Sequence, residues 1–204
     1  MIVAGLQLDV SWENPPENFE RVEQLALPAV QAGARLLVLP EMFATGFSMA
    51  SERVSGHAPE IREFLAGLAS RHGVWVLGGY AEPGVPRPRN ACALFDPQGN
   101  PALLYHKIHP FSLANEPEHY AAGNTIATRA VEGVRVTPLI CYDLRFPEVF
   151  RVVADATDLY VVIASWPAPR REAWRLLLRA RAVENQAFVL GVNRGVDILY
   201  GYLD

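Results

Sequence analysis

Short, continuous runs of apolar residues recur along the chain and predict β-strands that are covered on both faces. Residues 35–39, which read Arg-Leu-Leu-Val-Leu, are one such run. The residues between two later runs, Asp-Pro-Gln-Gly-Asn at 96–100, are typical of a hairpin turn. The predicted strands are residues 2–8, 35–39, 74–79, 90–95, 101–105, 134–140, 159–164 and 187–192.

Segments with a helical spacing of apolar residues lie between most of these strands. The first begins after Asn14, a good capping residue followed by two prolines, and ends at Gly33. Residues 106–129 show no clear period, and we expect a long, functional loop there. The predicted helices are residues 14–31, 59–71, 146–155 and 170–185. Strands alternating with helices indicate an α/β layered fold, and the absence of repeats and linkers predicts one domain over residues 1–204.

Length and composition restrict the class of protein. The 204 residues, 50% of them hydrophobic, suffice for a sizeable core, which excludes a disordered chain. The net charge of -4 argues against a protein that coats nucleic acid. No apolar run reaches the ~18 residues of a transmembrane helix, and the amino terminus lacks the basic start of a signal peptide. Two cysteines, Cys92 and Cys141, make no disulfide framework, so we expect a soluble, cytoplasmic protein with Cys92 as a buried structural residue.

The spacing of histidine, cysteine, glycine and arginine residues argues against binding of a metal, a cofactor or nucleic acid. The sequence contains no His-Glu-x-x-His or Cys-x-x-Cys spacing and no phosphate-cradling glycine motif, so we expect neither a metal site nor a cofactor. A basic stripe on the last predicted helix is interleaved with glutamates, which favours a solvated or ion-paired face over nucleic acid. The residues of this helix expected to brace it through near-neighbour pairs include Arg179, Arg181 and Glu184.

Lysine occurs once in the chain, at Lys107, whereas the other 17 basic residues are arginines. An ammonium group is compact and its pKa moves readily on burial, so lysine and arginine serve different chemistry. Biased codon usage can also leave a single lysine by chance. Lys107 is therefore a candidate for a chemical role that its neighbours must support.

Three polar residues follow predicted strands: Glu41, Lys107 and Cys141. Active sites of open α/β sheets collect at the carboxyl ends of strands, although each residue alone could be an ordinary surface or core residue. Together they supply a base, a positive charge and a nucleophile, which suits acyl transfer from a carbonyl or nitrile carbon. The turn after Cys141 places the amide of Tyr142 where it could donate to an oxyanion.

The motifs around these residues resemble the three signatures of the nitrilase superfamily of carbon–nitrogen hydrolases. They read Leu-Pro-Glu41-Met-Phe, His-Lys107-Ile-His and Cys141-Tyr-Asp-Leu-Arg-Phe-Pro-Glu, and the downstream Ser165-Trp-Pro segment agrees. Residues 41–47 and 115–123 are most similar to the omega-amidase branch, whose members hydrolyse the terminal amide of 2-oxoglutaramate and similar dicarboxylate monoamides. The resemblance implies a four-layer α-β-β-α sandwich and a cofactor-free amidase acting on a small amide.

The resemblance also implies roles for individual residues. Glu41 would take the proton of Cys141 and return it to the leaving ammonia, while Lys107 and the Tyr142 amide would hold the oxyanion. A second catalytic glutamate would be Glu116, with Glu118 as the alternative, and either Glu41 or Glu116 would activate the water that hydrolyses the thioester. We expect the pKa of Cys141 to be lowered by its lysine neighbour.

Substrate-binding residues are less specific. Arg145, four places after the cysteine, could bind the free carboxylate of a dicarboxylate monoamide, or form an internal ion pair with Glu148 or Asp143. Phe47 and Trp166 could wall the pocket or simply pack in the core.

Two alternatives remain at this level: a nitrilase or N-carbamoyl hydrolase with the same triad, and a catalytically idle relative that serves as a binding or scaffold module. Members of the superfamily usually form dimers and continue past the Asn-Arg-x-Gly segment with further strands and a carboxyl-terminal extension, whereas this chain ends at Asp204, nine residues after Gly195. The resemblance implies a homo-oligomer, and the composition predicts no nucleic-acid or membrane partner. From the short carboxyl terminus we expect an uncovered sheet edge and lower folding stability than that of a full-length relative.

Overall fold

The computed structural model describes residues 1–195, in which nine strands form two sheets flanked by helices. The strands are β1 (Val3–Gly5), β2 (Leu36–Val38), β3 (Trp75–Glu82), β4 (Arg89–Phe95), β5 (Pro101–His106), β6 (Arg129–Val131), β7 (Val134–Ile140), β8 (Leu159–Ala164) and β9 (Phe188–Asn193). The α-helices are α1 (Pro15–Gln31), α2 (Ser51–Ser55), α3 (Ala58–His72), α4 (Glu116–His119), α5 (Pro147–Arg151) and α6 (Arg171–Asn185).

The two sheets have different strand patterns. The first has the order β1-β2-β3-β4-β5, with parallel pairing up to β3 and antiparallel pairing through the β3-β4-β5 meander. The second has the order β6-β7-β8-β9, in which only β6 pairs antiparallel. Strands β2 and β7, which precede Glu41 and Cys141, therefore belong to different sheets.

Side-chain alternation along the strands produces the four layers. In the first sheet, Leu37 and Val76 pack with α1 and α3, while Leu36, Val38 and Leu77 pack with residues of the second sheet. The opposite face of the second sheet is covered by α5 and α6. Successive side chains of a strand point to opposite faces, so a continuous apolar run buries both. The predicted α-β-β-α sandwich is confirmed.

Most predicted elements agree with the structure. Helix α1 begins where expected, with the Asn14 side chain accepting from the Glu17 amide at 3.5 Å. Helix α3 ends at Gly73, which adopts a positive φ of 62° that suits glycine. The hairpin between β4 and β5 also forms across the predicted turn.

Several predicted boundaries are wrong. The predicted strand 2–8 pairs as a strand only over Val3–Gly5, because the chain then leaves β2 and the Leu8 carbonyl accepts from Gly195 N at 2.8 Å. The predicted helix 146–155 stops at Arg151, and the predicted loop 106–129 contains the short helix α4. These segments are fixed by distant contacts that local periodicity does not record.

No helix within residues 1–195 is long and apolar enough to cross a membrane. The expectations about the sheet edge and stability concern residues 196–204, which lie outside the described part of the chain.

Candidate active site

The ends of three strands bring Glu41, Lys107 and Cys141 together, as the sequence predicts. Lys107 follows β5 directly and Cys141 follows β7 directly, while Glu41 lies three residues beyond β2. The Lys107 Nζ lies 2.9 Å from Glu41 Oε1, and the Cys141 thiol lies close enough to the same carboxylate for its negative charge to raise the pKa of the thiol. The interior of the sandwich thus holds a thiol next to a carboxylate that is paired with an ammonium group.

The Glu41 carboxylate is fixed by hydrogen bonds at both oxygens. Oε1 accepts from Lys107 Nζ at 2.9 Å and from Asn90 Nδ2 at 2.7 Å. Oε2 accepts from the Ser165 backbone amide at 2.8 Å. Because Glu41 is only 1% exposed, these bonds leave the carboxylate little freedom to rotate.

Lys107 lies between two buried carboxylates. Its Nζ contacts Glu116 Oε2 at 2.9 Å as well as Glu41, and it lies 5.2 Å from the centroid of the Phe47 ring. Glu116 is fully buried at the start of α4, whereas Glu118, two residues on, is exposed. Of the two glutamates considered from the sequence, the structure therefore brings Glu116 to the lysine.

Asn90 on β4 joins Glu41, Lys107, Glu116 and Cys141 in one cluster, and sequence reasoning did not identify this asparagine. Its Nδ2 donates to Glu41 Oε1 at 2.7 Å and to Glu116 Oε1 at 2.8 Å, so one amide bridges both carboxylates. Its Oδ1 is buried and has no hydrogen-bond partner among the described residues. Nothing in the local pattern of β4 distinguishes this asparagine from a structural one.

The electrostatics of the cluster differ from the expectation for the cysteine. Burial, together with the negative charge of Glu41, raises the pKa of Cys141 well above its ordinary value, although Lys107 opposes the shift. The predicted lowering of this pKa is therefore wrong. Burial raises the pKa of Glu116, and Glu41 adds to the shift against the opposing effect of Lys107. Burial alone would lower the pKa of Lys107, but Glu116 and Glu41 raise it well above its ordinary value, so the lysine stays charged.

Cys141 begins a tight turn whose backbone is strained at the cysteine itself, with a φ of 48°. Asp143, fully buried, holds this turn in place: its carboxylate accepts from Tyr105 Oη at 2.8 Å, from the Ile140 amide at 3.0 Å and from the His109 amide at 2.9 Å. Strained residues persist where their surroundings over-determine them, and these bonds come from two separate parts of the chain, residues 105–109 and residue 140.

The helix α6 also supports the turn. Arg181 is buried and donates from Nε and Nη2 to the Leu144 carbonyl at 3.1 and 2.9 Å. It also pairs with Glu184 at 2.9 Å, as expected of a near neighbour. The expectation that Arg181 only braces its own helix is therefore incomplete, because the residue also ties α6 to the cysteine turn.

The thiol opens into a pocket of about 390 Å³, part of it open to solvent. The four predicted substrate-binding residues, Tyr142, Arg145, Phe47 and Trp166, all line this pocket. The Arg145 guanidinium lies over the Trp166 ring, 5.1 Å from its centroid, and within residues 1–195 it forms no ion pair. The alternative of an ion pair with Glu148 or Asp143 is therefore wrong. Cys92, expected to be structural, is fully buried.

Comparisons with known proteins identify similar chains of related function. Residues 2–201 match the family model described as carbon-nitrogen hydrolase. The chain is 37% identical over 189 residues to omega-amidase YafV of Escherichia coli K12, covering 93% of this chain and 72% of the relative. It is 33% identical over 195 residues to 2-oxoglutaramate amidase of Bacillus subtilis, with 94% and 75% covered.

Solved structures share the fold. XC1258 of Xanthomonas campestris, a CN-hydrolase superfamily protein with an arsenic adduct in its active site, superimposes with a TM-score of 0.87 at 33% identity, covering 96% of this chain and 76% of that one. An amidase of Nesterenkonia sp. superimposes with a TM-score of 0.88 at 25% identity, covering 94% and 75%. These matches confirm the resemblance that the three motifs indicate.

Proposed function

Because the chain belongs to the carbon–nitrogen hydrolase family, we propose that it hydrolyses a small amide through a thioester on Cys141 and releases ammonia. The observation that carries this proposal is the buried contact of Lys107 with both Glu41 and Glu116, beside a thiol that lines a pocket. The side chains of the cluster supply the thiol, the base and the positive charge that the reaction requires, and the Tyr142 backbone amide adds a second donor to the oxyanion.

In the first half of the reaction, the thiol of Cys141 attacks the amide carbonyl while Glu41 takes its proton. The raised pKa of the thiol supports proton transfer at the moment of attack rather than a standing thiolate. Lys107 and the Tyr142 backbone amide stabilise the negative charge that develops on the carbonyl oxygen. Glu41 then gives the proton to the nitrogen, and ammonia leaves as the C–N bond breaks and the thioester remains.

In the second half, water attacks the thioester carbonyl. Glu41 or Glu116 takes a proton from this water as its oxygen bonds to the carbonyl carbon. The C–S bond then breaks, and the carboxylate returns the proton to sulfur, which restores the thiol of Cys141 as the carboxylic acid product leaves. Both carboxylates accept hydrogen bonds from Lys107 and Asn90, which supports a role for both carboxylates in holding the attacking water.

For the substrate, we propose a dicarboxylate monoamide such as 2-oxoglutaramate. Two similar relatives are named for omega-amidase and 2-oxoglutaramate amidase activity. Arg145 in the pocket offers a guanidinium for the free carboxylate, and the buried Phe47 and Trp166 offer apolar walls for the methylene groups.

For its setting, we propose that the enzyme acts in the cytoplasm as a homo-oligomer. The free thiols of Cys92 and Cys141 suit a reducing compartment. The oligomer rests on the resemblance to the superfamily, and light scattering of the purified protein tests it directly: a mass of one chain of 22.5 kDa contradicts it.

Ammonia release from 2-oxoglutaramate and succinamate tests the proposed reaction. We expect release by the wild-type chain and by the matched Cys92→Ala variant, and none by Cys141→Ala. Release by Cys141→Ala refutes the nucleophile. If the folded wild-type chain releases no ammonia from either amide, the same assay with a nitrile and an N-carbamoyl amino acid separates another substrate class from an idle relative.

A further inference from the structure

A second arginine, Arg170, lines the same pocket as Cys141 and Arg145. Its guanidinium lies over the Phe111 ring, 5.5 Å from the centroid, much as that of Arg145 lies over Trp166. Neither arginine forms an ion pair within the described residues, and no acidic residue lines the pocket. Among residues 1–195, two guanidinium groups thus share one pocket without a counter-charge.

The position of Arg170 is unfavourable for a structural arginine. It is the N-cap residue of α6, and its side chain makes no capping hydrogen bond. Capping favours small oxygen-bearing side chains, and the helix dipole disfavours a positive charge at this end. A basic residue at this position therefore needs a different physical reason, and an anion bound in the pocket would supply one.

Both arginines are held by the same local framework. The Trp166 indole that lies under Arg145 donates from Nε1 to the Arg170 carbonyl at 2.9 Å. The Phe111 ring under Arg170 belongs to a residue whose backbone amide donates to Glu116. Arg170 therefore lies against Phe111, in the loop that carries Glu116. Its backbone is bonded to Trp166, the residue that lies under Arg145.

We propose that Arg170 is a second carboxylate-binding residue, which with Arg145 selects amides that carry a negative charge at the end remote from the reacting carbonyl. The proposal rests on the proposed amidase function for the reaction, but the anion site itself can be tested without turnover. A planar guanidinium stacked on an aromatic ring is suited to bind a carboxylate through two hydrogen bonds.

Binding of succinamate and of its neutral isostere succinamide to the Cys141→Ala variant, followed by calorimetry, tests the proposal. Adding Arg170→Gln should weaken succinamate binding by about tenfold, the loss expected for a charge-assisted hydrogen bond, and leave succinamide binding unchanged. Adding Arg170→Lys should restore part of the affinity. The control is Arg175→Gln on the same helix, an exposed residue paired with Glu172 outside the pocket, which should change neither affinity.

Equal weakening of both probes by Arg170→Gln would mean that the residue shapes the pocket, and this result overturns the proposal. So does an affinity for succinamate that matches the Arg175→Gln control, or no measurable succinamate binding at all. Turnover separates this failure from that of the proposed function. Ammonia release with an unchanged KM for succinamate in Arg170→Gln refutes only the anion site, whereas Arg170-dependent binding without any ammonia release refutes only the reaction.

Discussion

Replacing Asn90 by leucine removes the one uncharged side chain that bridges Glu41 and Glu116 within residues 1–195, while keeping a similar volume. Each of its two hydrogen bonds, at 2.7 and 2.8 Å, goes to a carboxylate. Hydrogen bonds to charged groups contribute roughly 1.5–3 kcal/mol each, and Lys107 still contacts both carboxylates in the variant. We therefore take the lower bound and expect the free energy of unfolding to fall by about 3 kcal/mol.

The variant should also change the pH dependence of hydrolysis. The Asn90 amide lowers the pKa of Glu116 against the larger effect of burial, because it donates to the charged form. Without it the pKa of Glu116 rises further, so the carboxylate becomes protonated at a higher pH. We expect the acid side of the profile of kcat/KM for ammonia release to move to higher pH, while activity on the alkaline side is reduced but keeps its position.

A buried asparagine elsewhere provides the control. Asn18 is fully buried and makes three hydrogen bonds to the backbone of Ser11 and Ala44, and none of these side-chain bonds goes to a carboxylate. Asn18→Leu should lower the free energy of unfolding in urea by a similar amount, about 3 kcal/mol, and leave the acid side of the profile in place. An Asn90→Leu profile that coincides with that of Asn18→Leu would refute the electrostatic role of Asn90.

Three further predictions concern the same cluster. Gly79→Ala should reduce kcat by about tenfold or more, because the added Cβ would lie 2.8 Å from the Glu41 Cα, whereas Gly78→Ala, whose Cβ would meet only side chains, should be milder; equal effects contradict this. Glu41→Gln should lower the pKa of the Cys141 thiol, since the carboxylate raises it, and so move the pH midpoint of alkylation by iodoacetamide to lower pH; a midpoint that stays or rises contradicts this. Arg181→Met should cost about 3 kcal/mol of unfolding free energy in urea through its two bonds to the cysteine turn, and a loss below about 1 kcal/mol would show that the turn does not need them.

The sequence sufficed to predict the layered fold and the positions of Glu41, Lys107 and Cys141. A residue that follows a buried strand must emerge at the end of its sheet, so Glu41, Lys107 and Cys141 could be expected at one site before their distances were known. The apolar runs set the strands, and the two sheets followed from the resemblance in the motifs. Glu116 was likewise identified by its motif rather than by any periodicity.

Asn90 could not be identified in this way, because its place depends on the register of a hairpin. The β4–β5 pairing shifts between Leu94 and Phe95, so that Ala91 rather than Asn90 lies opposite His106. The Asn90 carbonyl then accepts from the Lys107 amide at 2.8 Å, which brings both side chains into the cluster. A β-bulge leaves little trace in a strand pattern, yet it decides which side chain enters the site.

The predicted direction of the Cys141 pKa shift was wrong for a related reason. The sequence placed a single positive neighbour, Lys107, beside the thiol, and a cation lowers the pKa of a thiol. In the folded chain Glu41 and Glu116 lie beside it as well, and burial penalises the thiolate. The sum of these effects requires the positions of all four groups, which only the tertiary structure supplies.

Because Lys107 is the single lysine of the chain, its chemical modification can report the fraction of unfolded molecules. Its side chain is 1% exposed and held between two carboxylates, so a reagent that acylates amines can reach it only when the sandwich opens. In a preparation of residues 1–204, the other primary amine is the α-amino group of the exposed Met1. A short pulse of acetic anhydride, followed by hydroxylamine to remove acetyl groups from tyrosine and cysteine, should therefore leave one acetyl group on each folded molecule and two on each unfolded one, so that intact mass spectrometry measures both populations in the same sample.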